Sequence, residues 1–383
     1  MKQLGVAVIG YGFIGKIHTY AYRNLPFYYD PAPAQIRLVG VCTSRPETAE
    51  KARCEGGFET GTTAPQALIE RPDVDIVNIC TPNNLHADEL IAAIGAGKHI
   101  YCDKPISGTW PDAQRVEKAL AKYRGIGQMT LNCRFTPPAL RAKQLIEEGF
   151  LGQVTHFRAG YYHSGSLDPK RPMGWKQEAA AGGGVINDLG SHVVDIVDWL
   201  IGPLAEVHAE TRLLYPQRPD RQGRTVTVEA EDAVCILARL RAGGIGFIEA
   251  SKIAAGTNDE LRLEIHGTRG ALRFNTMQPN HLETYSLSDS EEPLGGMRGW
   301  RRIDTVHRYP KPGGWPGPKF AVGWIRSHIH CLHSFVAAVA AGRPARPSLQ
   351  EGIRLQYLLE QIRESARAHV WKPAARITNG GEE

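Results

Sequence analysis

The chain has 383 residues, of which 42% are hydrophobic and 22% are charged. These proportions are typical of folded globular proteins and exclude an intrinsically disordered chain. The formal net charge of +5 is too small to indicate nucleic-acid binding, although it favours anionic cofactors and phosphates. The length predicts two domains, because a typical domain has about 100–150 residues.

The seven cysteines are scattered, odd in number and never spaced as Cys-x-x-Cys, which argues against a disulfide framework or a thiolate zinc site. They indicate buried thiols in a reducing compartment. No apolar run approaches the roughly 20 residues that span a bilayer, and Lys2 leads through a short apolar run into a glycine-rich turn. We therefore expect a cytoplasmic protein without a cleaved signal and without a membrane or nucleic-acid partner.

From residue 1 to residue 131, short apolar runs alternate with helical stretches, which predicts a doubly wound parallel sheet. The insertion at 26–35 is expected on the surface. The predicted strands cover 4–9, 36–42, 75–80, 99–102 and 126–131, and the predicted helices cover 13–24, 46–54, 64–70, 83–96 and 110–122.

A glycine-rich turn, Gly10 to Gly15 with the sequence GYGFIG, joins the first predicted strand to the first predicted helix. Glycines in this context let backbone amides approach a dinucleotide pyrophosphate, and the helix N-terminus attracts its negative charge. The turn therefore predicts a nicotinamide cofactor bound by a Rossmann domain over residues 1–131. At the end of the second strand, Ser44 and Arg45 stand where a ribose-binding acid would favour NAD. They favour NADP, since a guanidinium can pair with a 2′-phosphate; the alternative is that Arg45 points to water.

Asp103, Lys104 and Pro105 follow the fifth predicted strand, at the sheet edge where ligands bind in this fold. A cofactor and an acid beside it could tune the Lys104 amine, and Pro105 stiffens the turn and could hold a cis bond. These features favour a catalytic or substrate-binding Lys104 over an ordinary surface lysine.

Residues 132–383 predict a second, α+β domain with a large, mostly antiparallel sheet. A long excursion at 287–319, which holds Trp300 and Trp315, is expected on the surface, and the end of the chain, 379–383, is expected to fray. The predicted strands cover 153–163, 203–215, 225–240, 245–252, 260–266, 270–275 and 281–286, and the predicted helices cover 140–148, 184–200, 320–341 and 349–369.

The predicted helix 184–200 follows a glycine triplet and places Asp188, His192, Asp195 and Trp199 on one stripe beside an apolar face. Such a stripe can form the wall of a site, although a solvated Asp-His pair is the common alternative. A single histidine without further ligands nearby argues against a metal. The histidines and cysteine at 328–333 do not share one helical face, so we interpret them as packing residues.

These motifs together resemble those of the Gfo/Idh/MocA family (glucose–fructose oxidoreductase, inositol dehydrogenase and rhizopine catabolism proteins), over nearly the whole chain. The resemblance implies a Rossmann domain followed by an α/β domain whose open sheet mediates dimers or tetramers. It rests on four motifs in register: the glycine-rich turn, Thr81-Pro82-Asn83 with His86, Asp103-Lys104-Pro105 in place of the family's Glu-Lys-Pro, and Gly182-Gly183-Gly184 followed by Asp188, His192 and Asp195.

The same resemblance implies that Lys104 and His192 are the catalytic pair and that Asp188 contacts the substrate and orients the site. The substrate-binding residues that it implies are Lys104, Arg134, Trp175, Asp188 and His192. The cofactor-binding residues that it implies are Gly10, Gly12, Phe13, Ile14, Gly15, Ser44, Arg45, Thr81, Asn83, His86, Asp103 and Lys104.

We therefore expect an NAD(P)-dependent oxidoreductase that interconverts a secondary hydroxyl and a ketone on a sugar, a sugar derivative or an inositol. Lys104 or His192 would carry the hydroxyl proton. Two alternatives stay open. One is a regulatory protein that binds NAD(P) without catalysis, and the other is a dehydrogenase or reductase of a non-sugar substrate such as a dihydrodiol.

Overall fold

The computed structural model describes residues 1–378 and 381–382. The predicted frayed end, 379–383, falls largely outside these residues. The chain divides into two compact units. The predicted domains were the continuous ranges 1–131 and 132–383, but two segments from the second range belong to the N-terminal unit. Unit 1 comprises Met1–Asn132, Tyr309–Pro316 and Ile325–Gln356, and unit 2 comprises Cys133–Arg308, Gly317–Trp324 and Tyr357–Glu383.

Unit 1 contains a six-stranded parallel sheet with its helices. The strands are β1 (Gln3–Ile9), β2 (Gln35–Cys42), β3 (Thr60–Thr62), β4 (Ile76–Ile79), β5 (His99–Asp103) and β6 (Gly127–Thr130). The helices between them are α1 (Phe13–Tyr28), α2 (Pro46–Gly56), α3 (Pro65–Ile69), α4 (His86–Gly95) and α5 (Trp110–Leu120). The strand order β3-β2-β1-β4-β5-β6 reverses between β1 and β4, which confirms the predicted doubly wound Rossmann sheet.

The sheet of unit 1 is covered on both faces, and this explains its sequence. Every residue of β1 from Leu4 to Ile9 is buried, as expected for a central parallel strand. Ile9 pairs with Cys42 of β2 and with Ile79 of β4. The turns that follow these strands therefore leave the sheet at one common edge, and the turn after β5 leaves there too.

Unit 2 contains a nine-stranded sheet. Its strands are β7 (Val154–Tyr162), β8 (Leu204–Arg212), β11 (Ala233–Leu240), β12 (Ile245–Ser251), β13 (Glu260–Gly267), β14 (Gly270–Asn275), β15 (His281–Ser286), β16 (Arg301–Asp304) and β17 (Lys372–Pro373). Two further pairs are β9 (Gln217–Pro219) with β10 (Thr225–Thr227) and β18 (Ile377–Thr378) with β19 (Gly381–Glu382). The order is β16-β15-β14-β13-β7-β12-β11-β8-β17, and the pairing is antiparallel except between β7 and β12. The predicted mostly antiparallel sheet is thus confirmed.

One face of this sheet is packed and the other is open. Along β11, buried residues alternate with exposed ones, and Leu237 on the open side is 51% exposed. The helices α6 (Pro137–Glu147) and α7 (Ser191–Ile201) belong to unit 2, and α7 packs on β7 and β12. The last helices are α8 (Trp324–Ala341) and α9 (Leu349–Ala368), close to the predicted 320–341 and 349–369.

Two predictions about the chain after residue 131 were incomplete. The predicted helix 184–200 begins with a separate π-helical turn, Ile186–Gly190, before α7 starts at Ser191. The excursion 287–319 is not wholly a surface loop, because β16 pairs with β15 and Thr305 and Tyr309 are buried. Among the described residues, no helix is long and apolar enough to cross a membrane.

Candidate active site

The glycine-rich turn after β1 has the backbone that a pyrophosphate requires. Gly10 has a φ of +91°, and a Cβ there would lie 2.6 Å from the Cys80 carbonyl. At Gly12, by contrast, an added Cβ would meet nothing within 4 Å, so the backbone is open to a ligand. Phe13 then begins α1, whose N-terminus has no side-chain cap. The turn therefore fits a dinucleotide phosphate.

The segment after β2 lies at the same sheet edge, since the Gly10 amide donates to the Cys42 carbonyl at 2.9 Å. The Thr43 and Thr48 hydroxyls are 2.6 Å apart, so one donates to the other, and they lie 3.1 and 2.9 Å from the Arg45 carbonyl at the start of α2. Ser44 and Arg45 are exposed. Their position agrees with the prediction that they face the adenosine ribose, which stays a prediction.

A buried histidine, His86, connects the turn after β4 to the turn after β5. The His86 ring nitrogens lie 2.9 Å from the Thr81 carbonyl and 2.8 Å from the Pro105 carbonyl. His86 has no exposed surface, and burial lowers its pKa. His86 therefore supports the turn that carries Lys104. This position favours an indirect role in cofactor binding over the predicted contact of His86 with the nicotinamide half.

The turn that carries Lys104 contains a backbone hydrogen bond to an acid and a cis peptide bond. The Asp103 carboxylate accepts a hydrogen bond from the Lys104 amide at 2.9 Å, and the Lys104–Pro105 peptide is cis. Asn83 is buried in the preceding turn. These residues thus lie on the turns that leave the ligand edge of the parallel sheet.

The Thr81 turn also contacts a carboxyl group of α4. The Thr81 hydroxyl donates to Glu89 Oε2 at 2.6 Å. Burial, with a smaller effect of the Asp88 charge, raises the pKa of Glu89 to about 7. A group that changes protonation near neutral pH therefore supports this turn.

In unit 2, several charged and polar side chains lie at one edge of the nine-stranded sheet. Ser251 pairs with Tyr162 in the parallel β7–β12 pair, so the residues that follow them, His163 and Lys252, leave at the same edge. The antiparallel neighbours bring Asp232 and Asp259 to this edge, just before β11 and β13. The π-helical turn packs on β7, β11 and β12.

Asp188, on that turn, is held by two ammonium groups. Lys176 Nζ lies 2.9 Å from Oδ1 and 3.1 Å from Oδ2, and Lys252 Nζ lies 3.0 Å from Oδ2. The Asp188 side chain is 11% exposed, the Lys252 side chain 4% and the Lys176 side chain 50%. The carboxylate is thus fixed from the interior and contacted from the solvent side.

The glycine triplet explains how Lys176 reaches this carboxylate. The Gly184 amide donates to the Lys176 carbonyl at 3.0 Å, and a Cβ on Gly183 would lie 2.6 Å from that same carbonyl. Side chains at 183 would therefore push the segment with Trp175 and Lys176 away. Trp175 is 37% exposed, and the Lys176 ammonium lies 5.9 Å from its ring centre.

His192 and Arg134 occupy the interior side of α7. His192 Nδ1 lies 3.7 Å from the Cys133 thiol, and its ring lies 5.7 Å from that of Tyr161. The buried Arg134 guanidinium makes a bidentate pair with Asp195, at 2.8 and 2.5 Å, and lies over Trp199. This pair fixes the orientation of the guanidinium, and the predicted contact of Arg134 with substrate stays a prediction.

The stripe predicted on helix 184–200 is therefore divided. His192, Asp195 and Trp199 share one side of α7, but Asp188 lies on the π-helical turn and pairs with lysines instead. The sequence reasoning missed Lys252 and His163, both of which lie near Asp188. Burial lowers the pKa of His163, and the charge of Asp188 partly opposes this shift. The sequence signal for both residues was their position: His163 and Lys252 are polar residues that directly follow the strands β7 and β12.

The comparisons with known proteins agree with this geometry. Residues 4–130 match the family model described as the oxidoreductase family with an NAD-binding Rossmann fold, and residues 139–273 match the GFO/IDH/MocA C-terminal domain. Levoglucosan dehydrogenase of Pseudarthrobacter phenanthrenivorans is 34% identical and covers 99% of this chain and 100% of its own. Myo-inositol 2-dehydrogenase of Thermotoga maritima is 26% identical over 95% of this chain and 97% of its own.

Solved structures extend the match to the whole fold. Levoglucosan dehydrogenase in complex with NADH and levoglucosan superposes with a TM-score of 0.93, at 34% identity, covering 97% of this chain and 100% of that one. An NAD-binding oxidoreductase from Klebsiella pneumoniae gives a TM-score of 0.91 at 30% identity, covering 98% and 100%. The chain belongs to the Gfo/Idh/MocA family of oxidoreductases and is a dehydrogenase that acts on CH–OH groups.

Proposed function

We propose that this protein oxidises a secondary hydroxyl of a sugar, a sugar derivative or an inositol to the ketone, with NAD(P) as acceptor. The observation that carries this proposal is the end-to-end similarity to levoglucosan dehydrogenase, whose solved complex holds NADH and levoglucosan. Levoglucosan is accordingly the first substrate to test. The reverse reduction is the same chemistry run backwards.

In this proposal the side chains handle the proton and the substrate oxygen. Bound nicotinamide supplies a hydride acceptor at its C4 carbon. Either Lys104 or His192 takes the hydroxyl proton, and Lys104 stabilises negative charge on the oxygen as the C–H bond breaks. Asp188 accepts a hydrogen bond from a substrate hydroxyl and orients the site. Trp175 lies next to the lysine that contacts Asp188 and packs against the sugar ring.

The cofactor preference is part of the same proposal. Gly10, Gly12, Phe13, Ile14 and Gly15 hold the pyrophosphate. An exposed Arg45 beside Ser44 favours NADP, because a guanidinium can pair with the 2′-phosphate. The relatives solved with NADH support NAD as the alternative.

The test is a turnover assay at 340 nm with NAD and NADP separately, across anhydrosugars, monosaccharides, glycosides and inositols. We expect reduction with at least one sugar. Lys104→Met and His192→Ala should each lose on the order of 100-fold or more in kcat, as removal of general acid–base groups does, while the cofactor dissociation constant is retained. Near-normal turnover in both variants would contradict the assignment. Cofactor binding without turnover on any sugar would favour a regulatory protein or a non-sugar substrate.

Two further properties belong to this proposal. The open face of the sheet in unit 2 serves as the contact between subunits of a homo-oligomer. It holds exposed Leu237 and Ile245 and a groove of about 500 Å³ lined by arginines and glutamates. The seven free cysteines support a reducing, cytoplasmic location.

A further inference from the structure

Lys252 and Lys176 both pair with Asp188, but they differ sharply in burial. Lys252 follows β12, and its side chain is only 4% exposed. Its amide donates to the Asp232 carbonyl at 2.8 Å, and its carbonyl accepts from the Ser166 amide at 2.9 Å. The backbone that carries this ammonium is thus fixed on both sides.

Lys176 approaches the same carboxylate from a different setting. It lies on a single 3-10 turn, Trp175–Gln177, and half of its side chain is exposed. An ammonium that is half exposed gains little from its ion pair, because water solvates it well when the pair is broken. A buried ammonium without its carboxylate, by contrast, would carry a large desolvation cost.

We propose that Lys252 is a positioning residue, which anchors Asp188 through Oδ2. Lys176, which contacts both carboxylate oxygens, is an exchangeable partner that gives up its contact with Oδ1 to a substrate hydroxyl. The assignment of the substrate hydroxyl rests on the proposed function. The difference between the two lysines does not, since it follows from their burial alone.

The geometry explains why one anchor is needed. Asp188 lies on a π-helical turn of five residues, whose start is held by Glu231 through a 3.0 Å bond from the Ile186 amide. Glu231 fixes the backbone of this turn, whereas Lys252 fixes the carboxylate itself. A carboxylate that is held in one orientation can receive a substrate hydroxyl without first being ordered.

The first test compares kinetics of the full-length enzyme on a sugar that it turns over. Lys252→Met should lower kcat on the order of 100-fold, as loss of alignment does. Lys252→Arg should recover at least about tenfold of this loss, because the buried charge is restored. Lys176→Met should act mainly on KM, with kcat falling less than about fivefold. Lys170→Met, an exposed lysine of the same unit, is the control and should match the wild type.

The second test needs no substrate. It uses thermal melts of three single variants, Lys252→Met, Lys176→Met and Asp188→Asn, and of the two double variants that combine a lysine change with Asp188→Asn. Each lysine thus gives a double-mutant cycle, in which the coupling is the non-additive part of the change in Tm. The Lys252–Asp188 coupling should be about 5 °C or more, and the Lys176–Asp188 coupling should stay within about 1 °C.

Each result decides the proposal. Wild-type kcat in Lys252→Met, or a Lys176–Asp188 coupling as large as that of Lys252, would overturn it. If no sugar is turned over, the proposed function fails, but the melting experiment still decides whether Lys252 is the anchor.

Discussion

Glu89 provides a direct test of how unit 1 is stabilised around its cofactor turns. Burial raises its pKa from 4.5 to about 7, and the Thr81 hydroxyl bonds it at 2.6 Å. In the unfolded chain the carboxyl returns to its ordinary pKa, so the folded state binds the proton more tightly. The contribution of this proton to stability is therefore present at low pH and is lost as pH rises from about 4.5 to about 7.

The size of the effect follows from the pKa difference. At about 1.4 kcal/mol for each pH unit between the two pKa values, the loss reaches about 3 kcal/mol above pH 7. Glu89→Gln keeps a hydrogen-bond acceptor for Thr81 but carries no charge to desolvate. We expect the variant to be more stable than the wild type by about 1.4 kcal/mol at pH 5.5 and by about 3 kcal/mol at pH 8.5.

The assay is urea denaturation at pH 5.5 and pH 8.5, and the quantity compared is the change between the two pH values. Glu47→Gln, an exposed glutamate of the same unit, is the control and should keep the pH dependence of the wild type. If Glu89→Gln showed that same dependence, the proton on Glu89 would not be coupled to folding and the reasoning would be refuted.

Two other predictions concern unit 2. Arg134→Met should cost about 3–5 kcal/mol in the free energy of unfolding, because it removes the guanidinium from a buried carboxylate, that of Asp195. Arg134→Met with Asp195→Leu should recover most of that loss in urea denaturation, and a single variant as stable as the wild type would contradict this. Leu237→Glu with Ile245→Glu should lower the mass measured by light scattering to that of a monomer, whereas Leu294→Glu on an exposed loop should not. An unchanged mass would contradict the proposed subunit contact.

The sequence predicted unit 1 well, because its signals are local. A buried strand such as β1 is a continuous apolar run, and the glycine-rich turn marks the point where helix α1 begins. The Asp103-Lys104-Pro105 motif was likewise placed correctly at a strand end. Residues 309–316 and 325–356 were assigned to the second domain instead of unit 1, because sequence order carries no information about which unit a returning segment joins.

Side-chain partners were harder to predict than strands. A regular helix was assumed from 184 to 200, and the π-helical turn 186–190 changes the register at its start. Asp188 therefore leaves the stripe that His192 and Asp195 share. Arg134 was matched to a substrate-facing position, but its charge is neutralised by Asp195, a partner that lies 61 residues away in the chain. Long-range ion pairs of this kind leave no periodic signal in a sequence.

The position of Lys252 shows why the one parallel strand pair of the nine-stranded sheet matters for the site. If β7 and β12 were antiparallel like their neighbours, His163 and Lys252 would leave at opposite edges of the sheet. Because the pair is parallel, both strands end beside the π-helical turn, and the lysine arrives from the buried side. A parallel pair also requires a long connection, and the chain between β7 and β12 contains α7 and the turn with Asp188. The same topology therefore supplies both the carboxylate and the cation that holds it.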